Sequence, residues 1–322
     1  MRARGFRGTI QVVGAEEHLP YDRPPLSKKV LSGTWGEEQI RLRGQRELDA
    51  LRAGFLLGRS AVRLDVQART VALDDGPSLD YGRLVLATGL RPRTLPGTDS
   101  LYGVWALRSL EDCAGLRAEL LTAHDVVVVG AGVLGCEIAA TARQMGLRVS
   151  MIDRSPVPML RQTGPDIGRL LSSLHAEQGV RILMGSGTTG LTDEAGRVTG
   201  VTVKGGETIP ADVVVVTIGS VPATDWLTGS GLPLDNGIVC DERGRAGVDL
   251  HAVGDVARWS HGVAGDGLRL ENRTNAVQQA RSVAADITGA EDGYHQVPYF
   301  WTDQYDIRMQ VFGWVWLSCR EL

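Results

Sequence analysis

The sequence predicts an α/β fold with a Rossmann-like unit, and three features of one segment carry this prediction. Residues 125–129 (DVVVV) form a β-branched run that is typical of a fully buried strand. A glycine turn, GAGVLG, follows at once, and residues 137–146 have the composition of a helix. Residues 147–153 (LRVSMID) predict a second strand. Strand, glycine turn, helix and strand in this order form the unit that binds a dinucleotide at the carboxyl ends of its strands.

Each glycine of the turn has a physical reason to be there. Gly130 permits a tight turn, Gly132 lets the backbone approach a pyrophosphate, and Gly135 allows the helix to pack closely on the strand. The N-terminus of the helix offers free N–H groups to the phosphates. Asp153 lies 23 positions after Gly130 and can accept hydrogen bonds from ribose hydroxyls, which favours NADH, whereas Arg154 could instead meet the 2′-phosphate of NADPH. A glycine turn that binds nothing is the alternative.

A third buried strand is expected over residues 211–217, and the sequence IGSVP follows it. Because ligands bind at the carboxyl edge of such sheets, Gly219 is a candidate for close approach to the nicotinamide half of the coenzyme. An ordinary turn glycine explains this position equally well. Further strands are expected over residues 70–73, 84–87 and 237–240.

The composition narrows the class of protein. The 322 residues are enough for two or more packed domains, and the net charge of −4 is too small to indicate nucleic-acid binding. No apolar run reaches the length of a membrane span and no signal peptide is recognised, so we expect a cytoplasmic protein that binds neither membranes nor nucleic acids. The cysteines at positions 113, 136, 240 and 319 are not spaced as a zinc or redox motif. We therefore expect small buried hydrophobic residues there and no metal site.

Eight segments match, in order, the motifs of one flavoprotein family. They include PYDRPPLSK (20–28), LVLATGLRPRTLPG (84–97), VVVGAGVLGCEIAA (127–140), HAVGDVA (251–257) and VPYFWTDQYD (297–306). On these motifs the chain resembles the FAD-dependent NAD(P)H:ferredoxin reductases, the family that includes putidaredoxin reductase, rubredoxin reductase and apoptosis-inducing factor. The resemblance covers nearly the whole chain, and several motifs in one order are far more specific than any one of them.

The resemblance implies two Rossmann-like FAD/NAD(P)-binding domains of the two-dinucleotide-binding-domain flavoprotein type, plus the start of a small α+β C-terminal domain. Residues 1–104 and 233–295 would form the FAD domain, residues 105–232 the NAD(P)H domain, and residues 296–322 the start of the C-terminal interface domain. The first strand and glycine turn of the family's FAD domain have no counterpart in residues 1–8, so the chain resembles a copy truncated at both ends. A missing central strand predicts uncovered strand edges in the FAD domain.

The resemblance also implies which residues bind the cofactors. The FAD-binding residues would be Glu16, Arg23, Lys28, Val62, Thr88, Gly89, Arg108, Asp255 and Trp301. NAD would be bound by Gly130, Gly132, Gly135, Asp153 and Gly219. Lys28 and Glu137 would form a catalytic ion pair beside N5 of the flavin, where a cation stabilises the charge of the reduced ring and a buried lysine needs a partner. Without the family, Glu137 is a polar residue in the first turn of a helix.

The function implied by the resemblance is that of an FAD-dependent oxidoreductase, with NADH as the hydride donor and a ferredoxin-type iron–sulfur protein as the acceptor of single electrons. The sequence has no CxxxxC pair, and its first cysteine, Cys113, lies far from the early proline-rich loop, which disfavours disulfide and thiol chemistry. Two alternatives stay open: an NADH-dependent reductase of another small acceptor, and a truncated nucleotide-binding remnant. Arg273 stands where many relatives have a tryptophan near the flavin, and Trp314, Trp316 and Leu317 are expected to be exposed if their packing partners are missing.

Overall fold

The structure is a computed structural model that describes residues 1–98, 100–261, 265–290, 294 and 297–313. The expectations of burial or exposure for four residues near the C-terminus cannot be compared with the structure, because these residues lie outside the described ranges: Trp314, Trp316, Leu317 and Cys319.

The elements are numbered in chain order. The strands are β1 (Ile10–Gly14), β2 (Ala53–Leu57), β3 (Ala61–Asp65), β4 (Thr70–Leu73), β5 (Leu79–Asp80), β6 (Leu84–Leu86), β7 (Leu90–Pro92), β8 (Val104–Trp105), β9 (Asp125–Val129), β10 (Arg148–Asp153), β11 (Arg181–Met184), β12 (Thr188–Glu194), β13 (Arg197–Val203), β14 (Thr208–Pro210), β15 (Val213–Val216), β16 (Ser220–Pro222), β17 (Ile238–Cys240), β18 (Arg245–Gly247), β19 (Leu250–Ala252), β20 (Ala257–His261), β21 (Gly265–Leu268), β22 (Tyr299–Gln304) and β23 (Ile307–Phe312). The α-helices are α1 (Glu37–Ile40), α2 (Gln45–Leu51), α3 (Leu110–Leu120), α4 (Val133–Gln144), α5 (Leu160–Glu177) and α6 (Arg273–Ile287), and short 3-10 turns occupy Arg2–Arg4, Pro24–Ser27, Asp225–Leu227 and Gly254–Val256.

The chain divides into two compact units, each assembled from separate segments. The central unit comprises Arg23–Ile40, Pro92–Ser220 and Trp301–Leu322, and the flanking unit comprises Met1–Asp22, Arg41–Arg91 and Val221–Phe300. The division into FAD, NAD(P)H and C-terminal domains stays a prediction. By its contacts the segment Arg23–Ile40 belongs to the central unit.

The central unit is built on a five-stranded parallel sheet in the order β11-β10-β9-β15-β8. Strand β9 coincides with the strand predicted at 125–129, and its four valines are buried, as are those of β15. β-branched side chains suit strands that are covered on both faces. Helix α4 begins at Val133, earlier than its composition predicts, because Gly132 serves as its N-cap and the helix starts directly after the turn.

A smaller antiparallel sheet, β12-β13-β14, completes the core of the central unit. Its buried side chains Val201 and Ile209 pack in one cluster with Val127 and Val214 of the parallel sheet. The carboxyl ends of β9, β10 and β15, which are parallel neighbours, therefore lie at one edge of a rigid core.

The flanking unit contains parallel strands in separate pairs. Strand β1 pairs with β2 from Ile10 opposite Ala53 onward, and β6 pairs with β19, which carries β18 on its other side. Three-stranded sheets β3-β4-β5 and β17-β20-β21 lie in the same unit. The core is centred on the fully buried Trp259, whose indole N–H donates to the carbonyl oxygen of Ala252 at 2.9 Å.

Strands β1 and β2 of the flanking unit are incompletely buried. In the part of the chain that the structure describes, no strand is hydrogen-bonded between the β1–β2 pair and the β6–β19 pair. No residue of β1 or β2 is fully buried, whereas four of the five residues of β9 are. The uncovered strand edges predicted for this part of the chain stay a prediction.

Cys113, Cys136 and Cys240 are free and buried, which confirms the expectation for these three. Burial raises the pKa of Cys113 to about 11 and that of Cys240 to about 12. None of the helices within the described ranges combines the length and the apolar character needed to cross a membrane.

Candidate active site

The glycine turn after β9 is shaped by close backbone contacts. Gly130 has a φ of +110°, and a Cβ atom on it would lie 2.4 Å from the carbonyl oxygen of Thr217. A Cβ atom on Gly135 would lie 2.0 Å from the carbonyl oxygen of Gly130. A Cβ atom on Gly132 would meet nothing within 4 Å. Packing thus requires the outer two glycines, while the middle one borders open space at the N-terminus of α4, where a phosphate group fits.

Asp153, the last residue of β10, holds the glycine turn in place. Its Oδ2 accepts a hydrogen bond from the N–H of Ala131 at 2.6 Å, and its Oδ1 accepts one from the N–H of Ser155 at 2.7 Å. Each oxygen keeps a further lone pair that a ribose hydroxyl could use. The exposed Arg154 lies alongside Gly187, where a Cβ atom would be 3.2 Å from the arginine Nε.

Residues after β15 complete this edge of the sheet. The hydroxyl of Thr217 donates to the carbonyl oxygen of Gly130 at 2.8 Å, so the end of β15 is tied to the glycine turn. Gly219 is exposed, has a φ of +94°, and accepts a hydrogen bond from the N–H of Arg93 at 2.9 Å. Its left-handed backbone makes glycine the favoured residue there.

A buried ion pair lies in the same unit. The Nζ of Lys28 is 2.7 Å from Oε2 of Glu137, and the two side chains are 15% and 6% exposed. Lys28 follows the 3-10 turn Pro24–Ser27, whose prolines occupy its first positions, where a missing N–H costs no hydrogen bond. Glu137 is a residue of α4. The ion pair expected from the resemblance is therefore present, and its place beside a flavin stays a prediction.

Two further donors satisfy the carboxylate of Glu137. The hydroxyl of Ser27 donates to Oε2 at 2.5 Å, and the hydroxyl of Thr302 donates to Oε1 at 2.8 Å. Ser27 is itself held by Thr141, whose hydroxyl donates to the Ser27 carbonyl oxygen at 2.8 Å. A buried carboxylate with a cation and two hydroxyl donors has the partners that an ion needs away from water.

Three other residues expected to bind FAD belong to the central unit. The guanidinium of Arg23 donates to the carbonyl oxygen of Arg108 at 2.6 Å, so these two lie together. The N–H of Arg108 donates to Asp112, a residue in the first turn of α3. Trp301 is half-buried on β22, and by strand alternation its side chain faces away from the side that carries Thr302.

The flanking unit brings three of the expected FAD residues to one strand edge. Thr88 and Gly89 follow β6, and Asp255 follows β19, which is the parallel neighbour of β6. The hydroxyl of Thr88 donates to the carbonyl oxygen of Ala223 at 3.0 Å, and Gly89 has a φ of +68°. Ala87 and Thr88 are exposed although they continue a strand that ends in the buried Leu86. An open surface at the carboxyl edge of parallel strands fits a bound dinucleotide.

Two expected FAD residues lie elsewhere in the flanking unit. Glu16 follows β1 and accepts a hydrogen bond from the hydroxyl of Tyr21. Val62 lies on β3 and is 47% exposed. The FAD-binding roles of all these residues stay predictions.

Sequence reasoning missed several polar residues. Thr217 lies beside the glycine turn, and the others contact the ion pair or are linked to it by hydrogen bonds, namely Ser27, His175, Thr302 and Gln304. One signal was available: Thr302 and Gln304 are two positions apart on a strand and so share one face. The partner that makes this face polar is Glu137, which is 165 residues away from Thr302 along the chain.

Known proteins match the chain over nearly its whole length. Residues 1–280 match the family model described as pyridine nucleotide-disulphide oxidoreductase. The chain is 39% identical over 315 residues to rhodocoxin reductase of Rhodococcus erythropolis, covering 97% of this chain and 74% of that protein. It is 36% identical over 320 residues to putidaredoxin reductase of Pseudomonas putida, covering 97% and 76%.

Solved structures give the same picture. The ferredoxin reductase for the CYP199A2 system from Rhodopseudomonas palustris superposes with a TM-score of 0.93 at 36% identity, covering 97% of this chain and 78% of that one. The reductase in the covalent putidaredoxin reductase–putidaredoxin complex also has a TM-score of 0.93, at 35% identity, with coverage of 97% and 77%. The α/β fold with two dinucleotide-binding domains is therefore shared with solved reductases.

Proposed function

The chain belongs to the pyridine nucleotide-disulphide oxidoreductase family, and we propose that it is an FAD-dependent oxidoreductase that passes a hydride from NADH to FAD and then single electrons to a ferredoxin-type iron–sulfur protein. The observation that carries this proposal is the buried Lys28–Glu137 ion pair in the unit that also holds the glycine turn. Relatives that share 36–39% of their residues with the chain are named as reductases of redox proteins, which supports the proposal.

The central unit would bind the coenzyme through its backbone. The open space beside Gly132 and the free N–H groups of α4 would receive the pyrophosphate of NADH. Asp153 would accept hydrogen bonds from the ribose hydroxyls with its remaining lone pairs, which favours NADH. Arg154 lies next to Asp153 and leaves NADPH as the second choice.

The cofactor-binding residues in each unit would hold FAD in different ways. In the flanking unit Glu16 would bind the adenosine ribose, Val62 the adenine through its backbone, and Asp255 the pyrophosphate or ribityl portion. Thr88 and Gly89 would approach the FAD closely. In the central unit Arg23, Lys28, Arg108 and Trp301 are the proposed FAD residues. Bound FAD supplies the chemistry of accepting a hydride and releasing single electrons.

Lys28 would act as a fixed cation rather than as a nucleophile. Its ammonium group is held by a buried carboxylate that also accepts hydrogen bonds from two hydroxyl groups, so contacts within the protein restrain its position. A preorganised charge of this kind stabilises negative charge that develops nearby without further rearrangement. By holding the pyrophosphate, the glycine turn would also place the nicotinamide close to the flavin, and this proximity would increase the rate of hydride transfer.

Cysteine chemistry has no support in the described part of the chain. Cys113, Cys136 and Cys240 are buried and free, and burial raises the pKa of each thiol. A protonated buried thiol is a poor nucleophile. This favours direct transfer from the flavin to an iron–sulfur partner, as expected for a relative of the reductase solved in complex with putidaredoxin.

A nucleotide-binding protein without turnover is the second candidate. The partly exposed strands β1 and β2 of the flanking unit favour it, because that unit carries several of the proposed FAD residues. An NADH-dependent reductase of another small acceptor is the remaining enzyme alternative. The cytoplasmic location also stays a proposal, and cell fractionation would test it.

The test is the visible absorption spectrum of the purified chain with FAD added, before and after anaerobic NADH. Retained flavin bands at about 450 nm that bleach with NADH, followed by reduction of an added ferredoxin, support the proposed reductase activity. Retained flavin that passes electrons to oxygen or a quinone but not to ferredoxin favours the small-acceptor alternative. Binding of NADH without retained flavin favours the nucleotide-binding protein.

A further inference from the structure

A line of buried polar side chains runs from the Lys28–Glu137 pair to strand β22 and helix α5, all within the central unit. Thr302 and Gln304 are 1% and 3% exposed, and their spacing puts them on one face of β22. His175, in the last turn of α5, is fully buried. A buried polar group is costly unless it is hydrogen-bonded, so each of these side chains is expected to have a partner. The hydrogen bonds between them show how the line is connected to Glu137.

The two oxygens of the Glu137 carboxylate have separate donors. Oε2 receives the ammonium of Lys28 at 2.7 Å and the hydroxyl of Ser27 at 2.5 Å. Oε1 receives the hydroxyl of Thr302 at 2.8 Å. Thr302 is therefore the contact that fixes the rotation of the carboxylate about its last bond, and with it the oxygen presented to Lys28.

Proton counting gives the line a direction. A hydroxyl has one proton, and Thr302 must donate it to Glu137 because a carboxylate only accepts. The oxygen of Thr302 then accepts from Nε2 of Gln304, 3.3 Å away. The same Nε2 faces the sulfur of Met159 at 3.5 Å, which leaves Oε1 of Gln304 towards Nε2 of His175 at 3.0 Å.

His175 completes the order of donors. Its Nε2 must carry the proton that it donates to Gln304, so its Nδ1 accepts from the hydroxyl of Tyr305 at 2.9 Å. Burial lowers the pKa of His175, which keeps the ring neutral, as this order requires. Every donor in the line therefore points towards Glu137, and aligned hydrogen bonds of this kind reinforce one another.

We propose that Thr302, supported by Gln304 and His175, is a positioning residue that holds the Glu137 carboxylate, and through it the Lys28 ammonium, in one orientation. Its consequence for catalysis rests on the proposed function, in which Lys28 faces the flavin. If Thr302 were only a satisfied hydroxyl in the core, its removal would change stability and leave the Lys28 ammonium as it is.

The first test needs neither FAD nor NADH. The chain has three lysines, Lys28, Lys29 and Lys204, so labelling with ¹⁵N-lysine lets NMR follow the ammonium protons of Lys28 beside two internal controls. Thr302→Val keeps the shape of the side chain and removes the hydroxyl, whereas Thr302→Ser keeps the hydroxyl. We expect the Lys28 ammonium protons to exchange about tenfold faster in Thr302→Val, the size of losing one hydrogen bond to a charged group, and at the wild-type rate in Thr302→Ser. Unchanged exchange at Lys28 in Thr302→Val overturns the proposal.

The second test uses the wild-type chain, so it decides even if Thr302→Val does not fold. The ¹⁵N chemical shifts of the His175 ring report which nitrogen carries the proton. The ordered line requires the proton on Nε2 at neutral pH. A proton on Nδ1, or a doubly protonated ring, overturns the proposal.

The third test measures the catalytic consequence with the FAD-loaded chain. In rapid-mixing experiments without oxygen, Thr302→Val is expected to lower the limiting rate of flavin reduction about tenfold, with unchanged affinity for NADH, and Thr302→Ser to restore it. A wild-type rate in Thr302→Val overturns the catalytic part. If the wild-type flavin is not reduced by NADH at all, the proposed function fails, and the exchange at Lys28 still decides whether Thr302 positions the ion pair.

Discussion

The parallel strands of the two units are supported differently. In the central unit β9 has a parallel neighbour on each side, and its end is fastened to the glycine turn by Thr217 and Asp153. In the flanking unit β1 pairs only with β2 among the strands that the structure describes, and neither is fully buried. Backbone contacts thus fix the ligand edge of the central unit.

In the flanking unit, hydrogen bonds between charged side chains join helix α6 to neighbouring strands. Asp286 of α6 accepts two hydrogen bonds from Arg245, at 2.8 and 2.5 Å, and its Oδ2 lies 2.9 Å from Nε2 of His251. These contacts join α6 to β18, which carries Arg245, and to β19, which carries His251. Arg273 at the start of α6 pairs with Asp22. From this difference we expect substitutions that alter the backbone to reduce the stability of the central unit most. We expect acid to reduce the stability of the flanking unit.

The largest expected effect is that of Gly135→Ala. The new Cβ atom would meet the carbonyl oxygen of Gly130, which is backbone and cannot move aside. We therefore expect the free energy of unfolding to fall by about 3 kcal/mol and NADH binding to be lost. The matched control is Gly132→Ala, whose Cβ atom has open space. It should fold with wild-type stability and lose only NADH binding. Urea unfolding and NADH titration check both, and a stable Gly135→Ala variant would contradict the backbone interpretation.

The next effect concerns the ion pair. Lys28→Met removes the fixed cation, and we expect the rate of flavin reduction by NADH to fall about a hundredfold, as for loss of one preorganised electrostatic contact. Lys29→Met is the neighbouring control, because Lys29 lies over the ring of Trp35 instead. Rapid-mixing spectroscopy measures both, and equal rates for the two variants would show that Lys28 has no part in the reaction.

Acid should weaken the flanking unit through Asp286. The hydrogen bond from Arg245 is the main reason that the pKa of Asp286 is lowered to about 2. Because this lies below the ordinary value of 3.8, the stabilisation is present above pH 3.8 and is lost as the pH falls towards 2. Because Arg245 is about half exposed and solvent screens the pair, we expect this stabilisation to be about 1 kcal/mol of unfolding free energy.

Asp286→Asn should therefore lower stability at pH 7 and flatten its dependence on pH in this range. Asp235→Asn is the control, since Asp235 is 70% exposed where it pairs with Arg258 and should change stability by less than about 1 kcal/mol. Thermal unfolding at several pH values measures both. An Asp286→Asn variant with the wild-type acid profile would remove this distinction between the units.

The smallest effect is expected at the coenzyme edge. Arg154→Ala should weaken binding of NADPH about fivefold, because a charge-assisted contact to the 2′-phosphate is lost, and leave NADH binding unchanged. Titration with each coenzyme measures the ratio. Equal losses for NADH and NADPH would assign Arg154 to packing against Gly187 instead.

The sequence predicts the central unit better than its polar core. Strand β9, the glycine turn and Asp153 are local in sequence, and their pattern is sufficient to place them. The partners of Glu137 are not local: Ser27 and Thr302 lie 110 and 165 residues away along the chain. The spacing of Thr302 and Gln304 indicates a polar strand face, but it does not show which residue that face meets. Tertiary contacts of this range are what pattern reasoning cannot supply.

The most direct measurement is the anaerobic reduction of the FAD-loaded chain by NADH carrying deuterium at C4 of the nicotinamide. A hydride transferred directly from NADH predicts that the flavin bands bleach, and that they bleach more slowly with the deuterated coenzyme. Flavin that stays bound and oxidised at saturating NADH would contradict the proposed reductase.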